Sequence, residues 1–193
     1  MLNLRIEDKN PHLKDELNEI MEENKAVFRS VLDGESEYVD SLGWFSVDKW
    51  ANPKEVKKLQ ELAVHIREKA DVFVIVGVGG SNNAARSVIE ALQSDDKVKI
   101  VYMGNTLSPW ELQKALKELE GKSVYIDCIA KNFETLEPGA SFRVLRKFLS
   151  DKYQEKANER IIATGTKGSP LEKLCQEQGY TFLEFPEDVG GRF

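Results

Sequence analysis

From Asp71 onward, short runs rich in β-branched residues alternate with amphipathic stretches. Residues 72–76 are apolar at every position, which is typical of a strand covered on both faces. Strands that alternate with helical segments form a mostly parallel sheet with helices on both faces. The sequence therefore predicts an α/β fold with a five-stranded, mostly parallel sheet. The predicted strands span residues 72–76, 99–103, 123–130, 160–164 and 181–185, and the predicted helices span 83–93, 108–120, 136–153 and 169–179.

The first 70 residues follow a different pattern. Apolar residues over 13–32 fit one face of a long helix and those over 56–66 fit a second helix, with a polar break between the two stretches. We expect the rings of Trp44 and Phe45 to fill the join between these helices and the sheet. The chain is therefore predicted to consist of an N-terminal helical arm, residues 1–70, packed on an α/β domain, residues 71–193.

Three of the predicted helices begin with the same local pattern. A polar cap residue is followed by a proline and, three positions after the cap, by a glutamate. The side-chain oxygen of the cap can accept a hydrogen bond from a backbone N–H group that has no partner within the helix, and proline fits the first helical position. The three cap residues are Asn52, Ser108 and Ser169.

The charge balance and the cysteine content exclude several classes of protein. The 193 residues include 27 Lys and Arg against 33 Asp and Glu, a net charge of −6, whereas duplex binding draws its affinity from clustered basic residues. Two cysteines form neither a disulfide scaffold nor a four-ligand zinc site, and no metal-ligand spacing is visible. The longest apolar run is far shorter than a membrane span, and the N-terminus has no signal pattern. We expect a cytoplasmic protein with no nucleic-acid, membrane or metal partner.

Residues 77–81 read Gly-Val-Gly-Gly-Ser and lie between the first predicted strand and a helix. Glycines let backbone N–H groups approach an anion, and a helix N-terminus adds partial positive charge. An anion site is favoured over a plain tight turn because open parallel sheets bind ligands at the carboxyl ends of their strands. A dinucleotide site is disfavoured, since Asn82 stands where a third glycine belongs and the second strand is followed by Gly104-Asn105 rather than by an acid.

Two further loops contain groups that suit an anion. Residues 130–138 follow the third predicted strand, where Lys131 offers an ammonium group, and this loop and the glycine loop follow neighbouring strands. Lys131 and Ser81 could therefore form a two-sided phosphate cradle, although a lone lysine is more often a solvated surface residue. Near the C-terminus, Arg192 could hold a phosphate or an enediolate with two hydrogen bonds, although a terminal Gly-Gly-Arg is normally a frayed tail. Cys128 falls in a buried strand and is interpreted as a small hydrophobic residue rather than a nucleophile.

These three loops, in this order, resemble those of the phosphoglucose isomerase (glucose-6-phosphate isomerase) family. Residues 77–81 look like its glycine-glycine-serine loop, residues 130–138 are similar to its phosphate loop, and residues 189–193 match its Gly-Gly-Arg segment. The resemblance spans nearly the whole chain and is closest to the shorter bacterial enzymes. It implies the family's N-terminal sugar-isomerase (SIS) domain, with a flavodoxin-like sheet.

The same resemblance implies a reaction and a set of site residues. The reaction interconverts glucose 6-phosphate and fructose 6-phosphate without a cofactor, through a cis-enediol or enediolate, whose charge Arg192 would stabilise. The family's general base, histidine and lysine come from beyond the Gly-Gly-Arg segment, so we expect the chain to be inactive by itself and the full-length enzyme to be a homodimer. The implied substrate-binding residues are Gly80, Ser81, Lys131, Asn132, Thr135 and Gly191.

The sequence departs from the family pattern within these loops. Glu134 stands where the family usually has a threonine, and a carboxylate 4 Å from a phosphate would cost about 4 kcal/mol at an effective dielectric constant of 20. Glu134 is therefore expected to point away from the phosphate, to pair with a cation such as Lys131, or to prevent phosphate binding at this site. The other departures are Ala130 at a family serine, Asn132 at a hydroxyl residue, and Asn83 and Ala84 in place of Leu-Gly.

Two other functions stay open at this stage. A non-catalytic SIS module that senses or regulates through a bound sugar phosphate would use the same loops with altered chemistry. A nucleotide-binding flavodoxin-like domain would need an acid to hold the ribose, which the sequence lacks after its second strand.

Overall fold

The structure, a computed structural model, describes residues 11–34, 41–92, 97–131 and 133–190. Five parallel strands form one sheet, and they match the predicted strands to within a residue or so at each end. The strands are β1 (Val72–Val76), β2 (Lys99–Met103), β3 (Val124–Ile129), β4 (Ile161–Gly165) and β5 (Thr181–Glu184). The helices are α1 (Leu13–Glu23), α2 (Lys25–Leu32), α3 (Val47–Trp50), α4 (Pro53–Lys69), α5 (Gly80–Leu92), α6 (Pro109–Leu119), α7 (Leu136–Tyr153) and α8 (Pro170–Gln178).

The strand order is β2-β1-β3-β4-β5, the order of flavodoxin-like folds. From β1 the chain first crosses to β2 and then reverses past β1 to β3, β4 and β5. Because parallel crossovers are right-handed, this reversal places α5 on one face of the sheet and α6, α7 and α8 on the other. The predicted α/β fold with helices on both faces is therefore confirmed.

A separate apolar core lies on each face of the sheet. On the face of α6, α7 and α8, Phe142, Leu145 and Leu149 of α7 are fully buried against β-strand residues such as Val74 and Ile126. On the opposite face, α4 buries Ile66 in a smaller cluster that also contains Ala70, Val98, Tyr125 and Ile162. Burial on both sides explains why the central strands read as nearly continuous apolar runs.

The three predicted helix caps are confirmed. Asn52 Oδ1 accepts hydrogen bonds from the backbone N–H groups of Lys54 and Glu55, each at 3.1 Å. Ser108 Oγ accepts from the first turn of α6 at 3.4 Å, and Ser169 Oγ accepts from that of α8 at 3.2 Å. Each cap satisfies a backbone donor that the helix itself leaves without a partner.

The N-terminal helices depart from the predictions in two ways. The stretch 13–32 forms two helices that meet at Asn24, and no residue of α1 or α2 is buried, so within the described residues the arm packs on the sheet through α4. The predicted role of Trp44 and Phe45 is wrong, because their side chains are 59% and 52% exposed and stack on each other at 3.8 Å. The backbone of Gly43 makes the contact with the rest of the chain instead, as described below. Among the described residues, none of the helices combines the length and the apolar character needed to cross a lipid bilayer.

Candidate functional site

The sheet has one point where the chain reverses direction, between β1 and β3. In open parallel sheets, ligands bind outside the carboxyl ends of the strands at such a point. The glycine loop follows β1, and the loop that begins at Ala130 follows β3, whose Cys128 pairs in register with Val76 of β1. The two loops that the sequence singled out therefore emerge side by side at this edge.

Two glycines of the glycine loop occupy positions that restrict side chains, one through its backbone conformation and the other through a close contact. Gly79 has a positive φ of 59°, and its carbonyl accepts hydrogen bonds from the backbone N–H groups of Asn82 and Asn83. A Cβ on Gly77 would lie 3.0 Å from Cβ of Ser81. Ser81 lies half-buried in the first turn of α5, which begins at Gly80. Its Oγ makes no hydrogen bond to any other described residue. The loop thus presents a free hydroxyl group and a helix N-terminus.

A second loop supports the glycine loop from the side of β2. The backbone N–H of Gly77 donates to the Met103 carbonyl at 2.9 Å. Gly104 has a φ of 95°, and a Cβ there would lie 2.8 Å from the Gly77 nitrogen. Gly104 is thus a structural part of the site, a role that was not predicted from the sequence. A glycine directly after a predicted strand was the signal available for it.

The β3 loop places Lys131 between two other segments. The Lys131 carbonyl accepts a hydrogen bond from Thr166 Oγ1 at 2.8 Å, and the Lys131 ammonium donates to the Val189 carbonyl, also at 2.8 Å. A Cβ on Gly165 would lie 2.9 Å from the Ala130 carbonyl oxygen, so the β3 and β4 loops touch through their backbones. Sequence reasoning missed Thr166, which carries no recognisable motif.

Thr135 and Glu134 lie at the start of α7. Thr135 occupies the N-cap position, but its exposed side chain makes no capping hydrogen bond, so its hydroxyl is available to a ligand. Glu134 makes no ion pair with Lys131. It lines a cavity of about 330 Å³ together with Arg143 and Arg146 of α7, and Arg146 Nε donates to the Tyr180 hydroxyl at 2.8 Å.

The C-terminal segment ends at the same edge of the sheet. The backbone N–H of Gly43 donates to the Asp188 carbonyl at 2.8 Å, and Lys131 holds the next residue, Val189. The segment 186–190 is thereby brought beside the β3 loop. The predicted site residues Asn132, Gly191 and Arg192 lie outside the described residues.

One titratable group near this edge was not anticipated. Asp127 of β3 accepts hydrogen bonds from Thr164 Oγ1 at 3.1 and 3.2 Å, and burial raises the pKa of its carboxyl group to about 7. An acid within an otherwise apolar strand was the signal in the sequence. Burial also raises the pKa of the adjacent Cys128 thiol well above its usual range, so Cys128 is not a thiolate nucleophile.

Comparison with known proteins places the chain in one family. The family model described as phosphoglucose isomerase matches residues 59–193. The chain is 34% identical over 176 residues to a glucose-6-phosphate isomerase of Staphylococcus saprophyticus, covering 88% of this chain and 40% of that protein. It is 37% identical over 166 residues to one of Shouchella clausii, covering 80% of this chain and 37% of that protein. The chain thus spans less than half the length of these relatives.

Solved structures show the same fold. A hypothetical protein of Thermus thermophilus superposes with a TM-score of 0.78 at 23% identity, covering 94% of this chain and 43% of that one. A glucose-6-phosphate isomerase of Chlamydia trachomatis superposes with a TM-score of 0.64 at 23% identity, covering 72% of this chain and 26% of that one. With the family match over residues 59–193, the chain belongs to the phosphoglucose isomerase family.

Proposed function

We propose that this chain is the sugar-phosphate-binding, N-terminal SIS domain of a glucose-6-phosphate isomerase, residues 71–193 with a helical arm of residues 1–70. The complete enzyme would interconvert glucose 6-phosphate and fructose 6-phosphate through a cis-enediol or enediolate. The observation that carries the proposal is the meeting of the glycine loop and the Lys131 loop at the reversal point of the sheet. The proposed reaction is taken from the relatives, which are named glucose-6-phosphate isomerase.

The residues proposed to bind the phosphate offer backbone N–H groups, hydroxyl groups and a positive charge. The N-terminus of α5 and the glycine loop contribute backbone N–H groups at Gly80 and Ser81, and Ser81 adds a hydroxyl group with no other described partner. Thr135 adds a second such hydroxyl group at the start of α7. Lys131 contributes positive charge from the neighbouring loop. Asn132 and Gly191 complete the proposed substrate contacts, and Arg192 would stabilise the enediolate.

Thermal unfolding in the presence of glucose 6-phosphate, 6-phosphogluconate or inorganic phosphate tests the site. A ligand at 100 times its dissociation constant should stabilise the chain by about 2.7 kcal/mol. Ser81→Ala should reduce this stabilisation, whereas Ser87→Ala is the matched control, because Ser87 lies on the same helix and its hydroxyl bonds only back to the Asn83 carbonyl. No stabilisation by any of the three compounds at millimolar concentration would count against the proposal.

Catalysis by the chain alone is the second test. The proposed base, histidine and lysine lie outside the chain, so a coupled assay of the 193 residues should show no conversion of fructose 6-phosphate. Measurable turnover would contradict the assignment of those groups to the remainder of the enzyme. The proposal also places the enzyme in the cytoplasm. It further predicts a homodimer, which a measurement of the mass of the full-length protein in solution would test.

A regulatory SIS module is the alternative, and the position of Glu134 favours it. An acidic residue at the start of α7 weakens a phosphate site, which a sensor tolerates better than a fast enzyme does. Isomerase activity of the full-length protein decides between them. Absence of activity, together with retained binding of glucose 6-phosphate, would support the module.

A further inference from the structure

Residues 186–190 are held at two points by parts of the chain that are remote in sequence. Gly43 donates its backbone N–H to the Asp188 carbonyl, and Lys131 donates its ammonium to the Val189 carbonyl, each at 2.8 Å. A Cβ on Gly43 would lie 2.2 Å from a carboxylate oxygen of Asp188, so glycine lets the two segments approach with this carboxylate in place. We call these two contacts the clasp. It fixes the chain immediately before Gly190.

Lys131 is held in place from its backbone side. Its carbonyl accepts a hydrogen bond from the hydroxyl of Thr166, a residue only 8% exposed. An ammonium group has three N–H donors, and one of them is bonded to Val189. The described residues accept no hydrogen bond from its two other donors, which can therefore reach an anion at the same edge of the sheet.

From these contacts we infer that Lys131 is a positioning residue that couples anion binding to the placement of residues 186–190. Its ammonium joins the phosphate of a bound sugar phosphate to the Val189 carbonyl. An ammonium already ordered by an anion loses less side-chain freedom in keeping its bond to Val189, so ligand binding tightens the clasp. The clasp in turn holds the chain that leads into Gly191 and Arg192. The ligand in this inference rests on the proposed function, whereas the clasp itself does not.

Amide hydrogen exchange of the ligand-free chain tests the clasp. Lys131→Met keeps the apolar stem and removes the ammonium, and it should speed exchange of the Gly43 amide about tenfold. Exchange of the β1 amides should not change. Lys131→Arg restores a donor and should recover part of the protection. Lys167→Met is the matched control, because Lys167 is an exposed lysine in the neighbouring loop after β4. Equal Gly43 exchange in wild type, Lys131→Met and Lys167→Met would overturn the inference.

Exchange at saturating glucose 6-phosphate tests the coupling. The ligand should slow exchange of the Gly43 and Val189 amides in wild type but not in Lys131→Met, even when that variant is fully bound. Equal slowing in saturated Lys131→Met would refute the coupling. If wild type binds neither glucose 6-phosphate nor inorganic phosphate, the proposed function fails, and the ligand-free comparison still decides the clasp.

Discussion

Asp127→Asn should stabilise the chain at alkaline pH and leave its stability unchanged in acid. Burial raises the pKa of Asp127 from 3.8 to about 7 in the folded chain. Between these two values the unfolded chain has released the proton while the folded chain retains it. The free energy of unfolding therefore falls as the pH rises through this window, and the full loss persists above pH 7. Asparagine does not titrate, and its Oδ1 can still accept the hydrogen bond from Thr164.

The magnitude follows from the size of the shift. About three pKa units correspond to roughly 4 kcal/mol, which is the upper limit for the gain at pH 8. Asp127 is not fully removed from solvent, and water that reaches the carboxylate screens its charge. We therefore expect a gain of about 2 kcal/mol at pH 8 that vanishes near pH 4.

Urea unfolding of wild type and Asp127→Asn from pH 4 to pH 8.5 measures this difference directly. Asp151→Asn is the control for removal of one surface carboxylate, since Asp151 is exposed and paired with Lys147 at 2.8 Å, and it should change stability by less than about 1 kcal/mol. A difference between wild type and Asp127→Asn that stays constant across the pH range would refute the reasoning. A carboxyl carbon signal of Asp127 that titrates near pH 4 would refute it independently.

Three further substitutions test the scaffold and the loops, by urea unfolding and by ligand titration. Gly104→Ala places a Cβ 2.8 Å from the Gly77 nitrogen on a residue with a positive φ. The substitution should lower the free energy of unfolding by about 2 kcal/mol and weaken phosphate binding. Gly139→Ala is the control and should do neither, because its Cβ would meet nothing within 4 Å. Ser169→Ala removes the cap of α8 and should cost about 1 kcal/mol; a loss below about 0.3 kcal/mol would show that the cap is not needed. Glu134→Gln removes a negative charge from the loop of the proposed phosphate site and should tighten binding of glucose 6-phosphate. Because Glu134 is exposed, solvent screens this charge, and the gain in affinity should be only about threefold. A tightening beyond tenfold would mean that Glu134 faces the phosphate.

The sequence was sufficient for the sheet because the relevant signals are local. Apolar runs, proline-containing helix starts and glycines after strands each depend on a few neighbouring residues, and β1, β3 and α7 followed from them closely. The parallel topology then placed two loops at one edge without any knowledge of side-chain contacts. The break between α1 and α2 at Asn24 was not visible, because the apolar spacing continues through it.

The parts that sequence reasoning missed depend on contacts between residues far apart in the chain. The bond from Lys131 to Val189 joins residues 58 positions apart, and the contact of Gly43 with Asp188 joins residues 145 positions apart. Trp44 and Phe45 were expected to be buried because aromatic residues commonly are, but a glycine backbone makes the contact in their place. Contacts between residues so far apart in the chain leave no periodic pattern in the sequence.

The scaffold and the chemistry of the candidate site reside in different residues. Gly104 allows the loops after β1 and β2 to touch through their backbones, and Gly165 does the same for the loops after β3 and β4, since a Cβ at these glycines would lie 2.8 and 2.9 Å from a backbone atom of the neighbouring loop. Ser81 and Thr135 contribute hydroxyl groups that no described contact within the chain uses. Changes at the chemical positions should therefore leave the edge of the sheet intact. Substitutions at the hydroxyl and charged positions should change ligand affinity alone, whereas substitutions at the glycines should lower the unfolding free energy and, through the displaced loops, the affinity as well.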